Sequence, residues 1–171
     1  MSQTPPTNKI NRTFTWLAWL SLFGLLVFVF NDYLENQYNP NREVESSTSF
    51  NGKSQVILQQ NRAGHYLANG TINQQPVTFL LDTGATQVSV PAHLAESLYL
   101  DRGRAGIANT ANGQVTVYQT EIAELTIGNI QLNNVSASIN PGMKTNEILL
   151  GMSVLKQVQF SQTGKQLILE Y

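Results

Sequence analysis

The chain contains the stretch Phe79-Leu80-Leu81-Asp82-Thr83-Gly84-Ala85-Thr86, an apolar run that ends in an acid, a hydroxyl and a glycine. A second apolar strand, Val88-Ser89-Val90, follows at once. A carboxylate at the tip of a hydrophobic strand costs free energy unless it is hydrogen-bonded or shares a proton. We therefore interpret Asp82 as a catalytic carboxylate that works as one of a pair. The alternative is an Asx turn, in which its side chain only shapes a tight turn.

The residues after Asp82 suit a loop at a crowded centre. The hydroxyl of Thr83 can hydrogen-bond across an interface. Gly84 lets backbone N–H groups approach the carboxylate, and Ala85 is small. With Thr86, these residues form a predicted active-site loop whose catalytic residue is Asp82.

Two further elements are expected to complete the site. The turn signal Ala111-Asn112-Gly113 lies between two apolar strands, which predicts a hairpin that covers a substrate as a flap. The element Leu149-Leu150-Gly151 is apolar and ends in a glycine, so we expect a strand whose backbone packs behind the loop. The apolar residues Val115, Val117 and Ile148 hint at hydrophobic residues flanking the scissile bond of a substrate.

Asp82 is one of three aspartates in the chain, and only Asp82 follows an apolar strand. Asp32 follows an apolar segment near the N-terminus, and Asp101 lies in a polar turn with two arginines. Peptide hydrolysis by carboxylates uses a pair about 3 Å apart that shares one proton. Because one chain offers only one suitable aspartate, we expect the pair to form across the axis of a homodimer.

Composition excludes several other chemistries. The formal net charge is −1 and no basic run is present, so we expect no binding of nucleic acid. The absence of cysteine excludes thiol catalysis and cysteine-bearing metal sites. His65 and His93 stand apart, and neither has a second histidine at ligand spacing. We therefore predict neither a metal nor a cofactor.

Residues 14–30 form an uncharged apolar run in which only Thr15 and Ser21 carry hydroxyls. A helix over this run would be about 25 Å long, the short end of what crosses a bilayer. We predict a cytoplasmic tail over residues 1–12 and a single transmembrane anchor over 13–31. Two alternatives are less well supported. A cleavable signal peptide would need small residues at a cleavage site, and the residues that follow the run offer none. A buried core helix would need polar positions at helical spacing, and the run lacks them. The basic residues Lys9 and Arg12 precede the run, which favours a cytoplasmic N-terminus.

Residues 32–53 are rich in Asn, Glu and Ser, and we predict a flexible linker there. Residues 54–171 are different, because short apolar runs alternate with turn signals such as Asn69-Gly70 and Gly128-Asn129. Short helices are predicted over 91–98 and 153–157, the second capped by Ser153. The predicted fold is all-β: a small closed barrel with one or two short helices, preceded by the transmembrane helix.

Several spaced motifs in residues 54–171 resemble the retropepsin-like aspartic proteases of bacteria. The motifs are Gly64-His65-Tyr66, Gly70-Thr71-Ile72-Asn73, residues 77–86, Thr110-Ala111-Asn112-Gly113 and residues 149–155. The resemblance implies an acid-protease barrel over 54–171, a homodimer, and aspartic endopeptidase activity on peptides or proteins without a cofactor.

Individual residues take roles from the same resemblance. Asp82 would be catalytic, and Thr83 would interlock at the dimer axis. Residues 111–113 would form the flap tip. Met152 stands where viral members usually have an arginine, so their intrasubunit ion pair is not expected here. Many family members carry one N-terminal membrane segment, which implies the bacterial inner membrane with the protease domain on the periplasmic side.

Two other functions stay open at this stage. The same anchored barrel could be a non-catalytic module that binds extended peptides by strand addition. It could also be a structural envelope protein that spaces partners from the membrane. A carboxylate and a hydroxyl at Asp82 and Thr83 favour the protease, since a pure binder does not need them.

Overall fold

The computed structural model describes residues 9–49, 51–110 and 113–171. The chain divides into two compact units, the residues up to Asn36 and the residues from Gln37 to Tyr171. Helix α1 (Lys9–Tyr38) has 30 residues and accounts for the described part of the first unit.

Helix α1 is the one described helix that is long and apolar enough to cross a membrane. Within its segment Arg12–Tyr38, an 18-residue window has a mean hydropathy of 2.0, and a signal sequence near the N-terminus would pass the same test of length and composition. The predicted anchor, residues 13–31, lies inside α1. The helix runs on to Tyr38 and so into the predicted linker.

Among the described residues, the second unit contains eleven strands and one short helix. They are β1 (Glu45–Thr48), β2 (Ser54–Gln59), β3 (Tyr66–Ile72), β4 (Gln75–Leu81), β5 (Val88–Pro91), β6 (Ala105–Thr110), β7 (Gly113–Ile127), β8 (Ile130–Asn140), β9 (Glu147–Leu150), α2 (Met152–Leu155), β10 (Gln159–Thr163) and β11 (Gln166–Glu170).

Six of these strands close into a barrel in the order β3-β4-β9-β5-β8-β7, because β3 also pairs with β7. Strand β6 extends the sheet beyond β7 and leaves one edge unpaired. Alternate side chains of the barrel strands face its interior, where Phe79, Val88, Ile122 and Ile148 are fully buried. The predicted all-β closed barrel is confirmed.

The barrel closes at Gly70. A Cβ there would overlap the carbonyl oxygen of Thr126 on β7 and would lie 2.7 Å from the ring of Phe79. Asn69-Gly70 is therefore inside β3, and the predicted hairpin turn at this pair is wrong. The chain turns at Asn73 and Gln74, where the sequence also predicts a turn, and both residues have positive φ (48° and 67°). The close approach of β7, which a local turn signal does not report, requires the glycine.

The predicted flexible linker also differs from the structure. Strand β1 pairs with β2 in a second sheet of order β1-β2-β11-β10. Residues 37–44, which we call the strap, lead from α1 into β1. Within the strap, Asn41 is only 3% exposed. Its Nδ2 donates to the carbonyl oxygens of Gln59 and Leu67 at 2.9 and 2.6 Å, and its Oδ1 accepts from the N–H of Gln59 at 2.6 Å. These hydrogen bonds satisfy backbone groups at the ends of two strands, so the strap is fixed in place although its sequence is polar.

The strap is held at its surface end by Tyr38, whose hydroxyl donates to the carboxylate of Glu147. Desolvation raises the pKa of Tyr38 to about 12, and the hydrogen bond and negative charge of Glu147 add to the shift. Tyr38 lies beyond the predicted anchor, residues 13–31. The remaining boundaries of the predicted anchor and protease domain stay predictions.

The predicted short helices are only partly correct. Residues 92–99 form successive turns rather than a regular helix. The hydrogen bond from the N–H of Leu98 to the carbonyl oxygen of Leu94 is one helical contact among them. Helix α2 begins one residue earlier than expected, and its N-cap is Gly151. Ser153 is not the cap, because its hydroxyl accepts a hydrogen bond from the N–H of Val88 at 3.2 Å. A serine that serves a neighbouring strand cannot be distinguished by sequence from a capping serine.

Candidate active site

Asp82 is placed by the parallel pair β4 and β9. Leu81 is in register with Leu150, and the N–H of Asp82 continues the ladder by donating to the carbonyl oxygen of Leu150 at 3.2 Å. Leu150 is fully buried in the core. The backbone of Asp82 is therefore fixed at the ends of two core strands, and its half-buried side chain emerges from that edge.

The carboxylate of Asp82 takes part in the turn that follows it. Its Oδ1 accepts from the N–H of Gly84 at 2.8 Å, and its carbonyl oxygen accepts from the N–H of Ala85 at 3.2 Å. This is the geometry of an Asx turn. Oδ2 has no hydrogen-bond partner among the described residues, so one oxygen shapes the loop and the other is available for a substrate or a second carboxyl group.

Gly151 supports the loop from behind. A Cβ at this position would overlap the carbonyl oxygen of Gln87 and would lie 2.7 Å from that of Ala85. The next two residues bind the loop directly, since the N–H groups of Met152 and Ser153 donate to the carbonyl oxygens of Ala85 and Thr86 at 2.8 and 3.0 Å. The structure thus brings the predicted loop and the predicted strand together through backbone contacts that only a glycine allows.

The outer face of the loop is open in the single chain. Thr83, Gly84 and Thr86 are exposed, whereas Asp82 and Ala85 are half-buried. The loop is hydrogen-bonded to the barrel on its inner side and exposed to solvent on its outer side, so the outer side could serve as a contact surface.

A cavity of about 760 Å³ lies between this loop and the hairpin formed by β6 and β7. Asp82 is the one ionisable side chain among its described lining residues. The lining residues are Asp82, Gly84, Ala85, Thr86, Gln87, Ser89, Gly106, Ile107, Ala108, Asn109, Thr110, Val117, Gln119, Ser138, Asn140 and Leu149.

The β6–β7 hairpin is the predicted flap. Thr110 is in register with Gly113, so residues 111–112 connect the two strands. Gly113 has a φ of 105°, which favours glycine. The other two predicted tip residues, Ala111 and Asn112, lie outside the described residues. Ile107 on β6 is 71% exposed although it lines the cavity, so the hairpin presents an apolar side chain to an open space.

Six polar lining residues were missed by sequence reasoning: Gln87, Ser89, Asn109, Gln119, Ser138 and Asn140. Of the predicted strand residues, Leu149 lines the cavity and Leu150 lies in the core. The hint from hydrophobic residues was partly wrong, since Ile148 is fully buried and does not reach the cavity. The available signal was the alternation of polar and apolar residues in β5 and β8, which marks a face turned away from the core. Within the described residues, no three His, Asp or Glu side chains are grouped so that they could hold a metal ion.

Comparison with known proteins decides the family. The model described as gag-polyprotein putative aspartyl protease matches residues 68–157, more than half of the chain. The chain belongs to this family of aspartic proteases. The match includes the loop 82–86, the β6–β7 hairpin and Gly151, so the resemblance stated from the motifs is confirmed.

Solved and curated relatives agree with this assignment. The crystal structure of a retropepsin-like aspartic protease from Rickettsia conorii matches with a TM-score of 0.58 and 26% identity, covering 74% of this chain and 94% of that one. An uncharacterized protein in the cobV 5' region of a Sinorhizobium species is 30% identical over 118 residues, which is 67% of this chain and 51% of that protein. Uncharacterized protein RP867 of Rickettsia prowazekii is 25% identical over 118 residues, 67% of this chain and 50% of that protein. The chain spans about half the length of these two curated relatives.

Proposed function

We propose that the chain is an aspartic endopeptidase whose catalytic pair consists of Asp82 from two identical chains. The observation that carries the proposal is the position of Asp82. It is the single ionisable group among the described residues of the cavity, and it lies on a loop bonded by Gly84 and backed by Gly151. An acid-protease barrel of the known family supplies the context.

The reaction needs only the two carboxyl groups and a water molecule. The ionised carboxylate takes a proton from the water, which attacks the scissile carbonyl carbon, while the protonated carboxyl donates to the carbonyl oxygen. The product of this step is a tetrahedral diol. When the C–N bond breaks, the proton taken from water passes to the leaving nitrogen. A diol hydroxyl returns its proton to the second carboxyl group, which restores the pair.

The exposed face of the loop supports pairing between two copies. A residue near the axis of an isologous dimer meets its own copy, so Asp82 can approach the partner's Asp82 without a second aspartate in the chain. Thr83 is exposed beside it, and we assign its hydroxyl to the contact across the axis. Two cavities would then join into one site long enough for an extended peptide.

Residues 13–31 of α1 are proposed as a membrane anchor in the bacterial inner membrane, with the N-terminus in the cytoplasm and the protease domain periplasmic or extracytoplasmic. The length and hydropathy of α1 and the basic residues that precede the apolar run support this assignment. Anchoring would raise the effective concentration of the chains in two dimensions and so favour pairing.

One observation favours peptide binding without catalysis as a second candidate. Strand β6 ends the sheet with an unpaired edge, and several of its residues line the cavity. An extended peptide could add to that edge by backbone hydrogen bonds. A protease would use the same edge to hold its substrate, so the two functions differ only in what happens at Asp82.

The deciding experiment compares Asp82→Asn with Asp101→Asn in the full chain purified in detergent. Asp101 is exposed and does not line the cavity, so it is a matched control. Hydrolysis of a peptide library, followed by mass spectrometry, should be abolished by Asp82→Asn and retained by Asp101→Asn. Excess Asp82→Asn chain, equilibrated with wild type, should lower the wild-type rate because mixed pairs contain one carboxylate.

The catalytic role of Asp82 and the pairing of two chains are tested separately. Wild-type hydrolysis by Asp82→Asn would refute the catalytic role. A wild-type rate that does not change in the mixture would refute the shared pair. Peptide binding without hydrolysis by any form would favour the binding module.

A further inference from the structure

Three polar side chains form a row across neighbouring strands of the barrel. Ser89 on β5 is in register with Ser138 on β8, and Ser138 is in register with Gln119 on β7. Residues paired across a sheet point to the same face, and all three line the cavity. Their sequence neighbours Val88 and Ile139 point the other way and are fully buried. The row therefore places polar side chains on the side of the sheet that faces the site, with the apolar Leu149 beside Ser89 at its end.

Asn140 extends this row, since it lies two residues after Ser138 on the same face of β8 and also lines the cavity. It is only 7% exposed, and Ser138 is 8% exposed. The Oδ1 of Asn140 accepts from the N–H of Gly142 at 2.8 Å, which fixes the carboxamide group. Its Nδ2 has no hydrogen-bond partner among the described residues. Because Asn140 lines the cavity and this amide donor bonds no acceptor among the described residues, a ligand that brings an acceptor can gain a hydrogen bond there.

The hydroxyls of the row add to this complementarity. The Oγ of Ser138 donates to the carbonyl oxygen of Val88 over a long 3.4 Å, and the Oγ of Ser89 donates at 3.3 Å to the sulfur of Met143, which is a weak acceptor. The side chain of Gln119 is exposed at the end of the row and carries both a donor and an acceptor.

We propose that Ser89, Ser138, Gln119 and Asn140 form a specificity subsite for a carboxamide side chain, Asn or Gln, of a peptide substrate. The proposal rests on the proposed peptidase function and names its substrate class. A carboxamide both accepts from Nδ2 of Asn140 and donates to the hydroxyls. A leucine of the same shape would leave these groups unpaired. A carboxylate would lose its hydration without meeting a cation, because no described lining residue is basic.

The test uses octapeptides in which each position is occupied in turn by Asn, Leu or Asp, three side chains of nearly equal shape. Wild-type full chain in detergent should hydrolyse the peptides with Asn at one position near the scissile bond at least tenfold faster, in kcat/KM, than those with Leu or Asp. In parallel, the dissociation constants of the same peptides for Asp82→Asn are measured by fluorescence anisotropy. This arm needs no catalysis, so a preference for Asn in binding together with no hydrolysis by wild type would keep the subsite and refute the peptidase.

Two variants assign the preference to the row. Gln119→Leu changes an exposed side chain and should fold normally, and Asn140→Leu removes the buried amide. Each should reduce the ratio of Asn to Leu peptides several-fold in binding to the Asp82→Asn chain, with circular dichroism to verify folding. Equal binding of Asn and Leu peptides at every position would overturn the proposal. A preference for Asn that neither variant alters would overturn its assignment to these residues.

Discussion

The loop 82–86 and the part of the strap that follows α1 are both non-repetitive segments, but they are held in different ways. The loop is bonded through backbone groups and depends on a position without a side chain, Gly151. The strap depends on a side chain, because the buried carboxamide of Asn41 bonds three backbone groups of other strands. The glycine that ends the apolar run 149–151 stands out in the sequence, whereas a buried asparagine looks the same as an asparagine in a flexible linker.

Replacing Gly151 should have the largest effect. In Gly151→Ala the new methyl would meet the carbonyl oxygens of Gln87 and Ala85, so the loop must move. We expect a free energy of unfolding lower by about 3 kcal/mol, and a loss of peptide hydrolysis of about a hundredfold or more, since catalytic groups misplaced by about 1 Å lose that much. Thermal unfolding and peptide hydrolysis measure the two effects.

The control for this prediction is Gly24→Ala in α1, because a Cβ there meets no atom within 4 Å. It should leave the unfolding of residues 37–171 unchanged. If Gly151→Ala retained both the stability and the activity of wild type, the account of the loop as a glycine-backed backbone structure would be wrong.

Asn41→Ala tests whether the side chain of Asn41 holds the strap in place. It leaves the N–H of Gln59 and the carbonyl oxygens of Gln59 and Leu67 without the side chain that bonds them. We expect the free energy of unfolding in urea to fall by about 2–4 kcal/mol, because buried polar groups that lose their partners cost about 1–3 kcal/mol each.

Asn51→Ala is the matched control, since Asn51 is exposed in the same predicted linker and should change stability by no more than about 0.5 kcal/mol. Equal, small effects of the two substitutions would mean that the strap is a linker after all, as the composition suggested.

The smallest effect is expected at the surface end of the strap. The pKa of Tyr38 rises from 10.0 to about 12 in the folded chain. The folded state therefore holds this proton more tightly, and the resulting stability is present below pH 10 and lost as the pH rises towards 12. Because Tyr38 is half exposed, screening keeps the contribution below about 1 kcal/mol.

Urea unfolding between pH 10 and 12 should show a steeper loss of stability for wild type than for Tyr38→Phe. Tyr171→Phe, at another exposed tyrosine, serves as the control and should follow wild type. Parallel curves for wild type and Tyr38→Phe would show that the bond to Glu147 does not contribute.

Local signals predicted the barrel, and the contact between the loop 82–86 and Gly151, better than their surroundings. The apolar run that ends at Gly151 indicated a strand behind the loop, and the closed barrel follows from short apolar runs at regular spacing. The turn expected at Asn69-Gly70 failed for a tertiary reason, since Gly70 admits the backbone of Thr126. The cap expected at Ser153 failed for the same kind of reason, because its hydroxyl serves Val88.

The sequence by itself determined that this chain belongs to the retropepsin-like aspartic protease family and folds as a β-barrel, with an apolar N-terminal helix and one aspartate that follows an apolar strand. Those features depend on residue types and on neighbours within a few positions. Only the tertiary structure decided that the strap is folded and that Ser89, Ser138 and Gln119 form one polar row. Both depend on strand register and burial, which place residues far apart in the chain within hydrogen-bond distance or on one face.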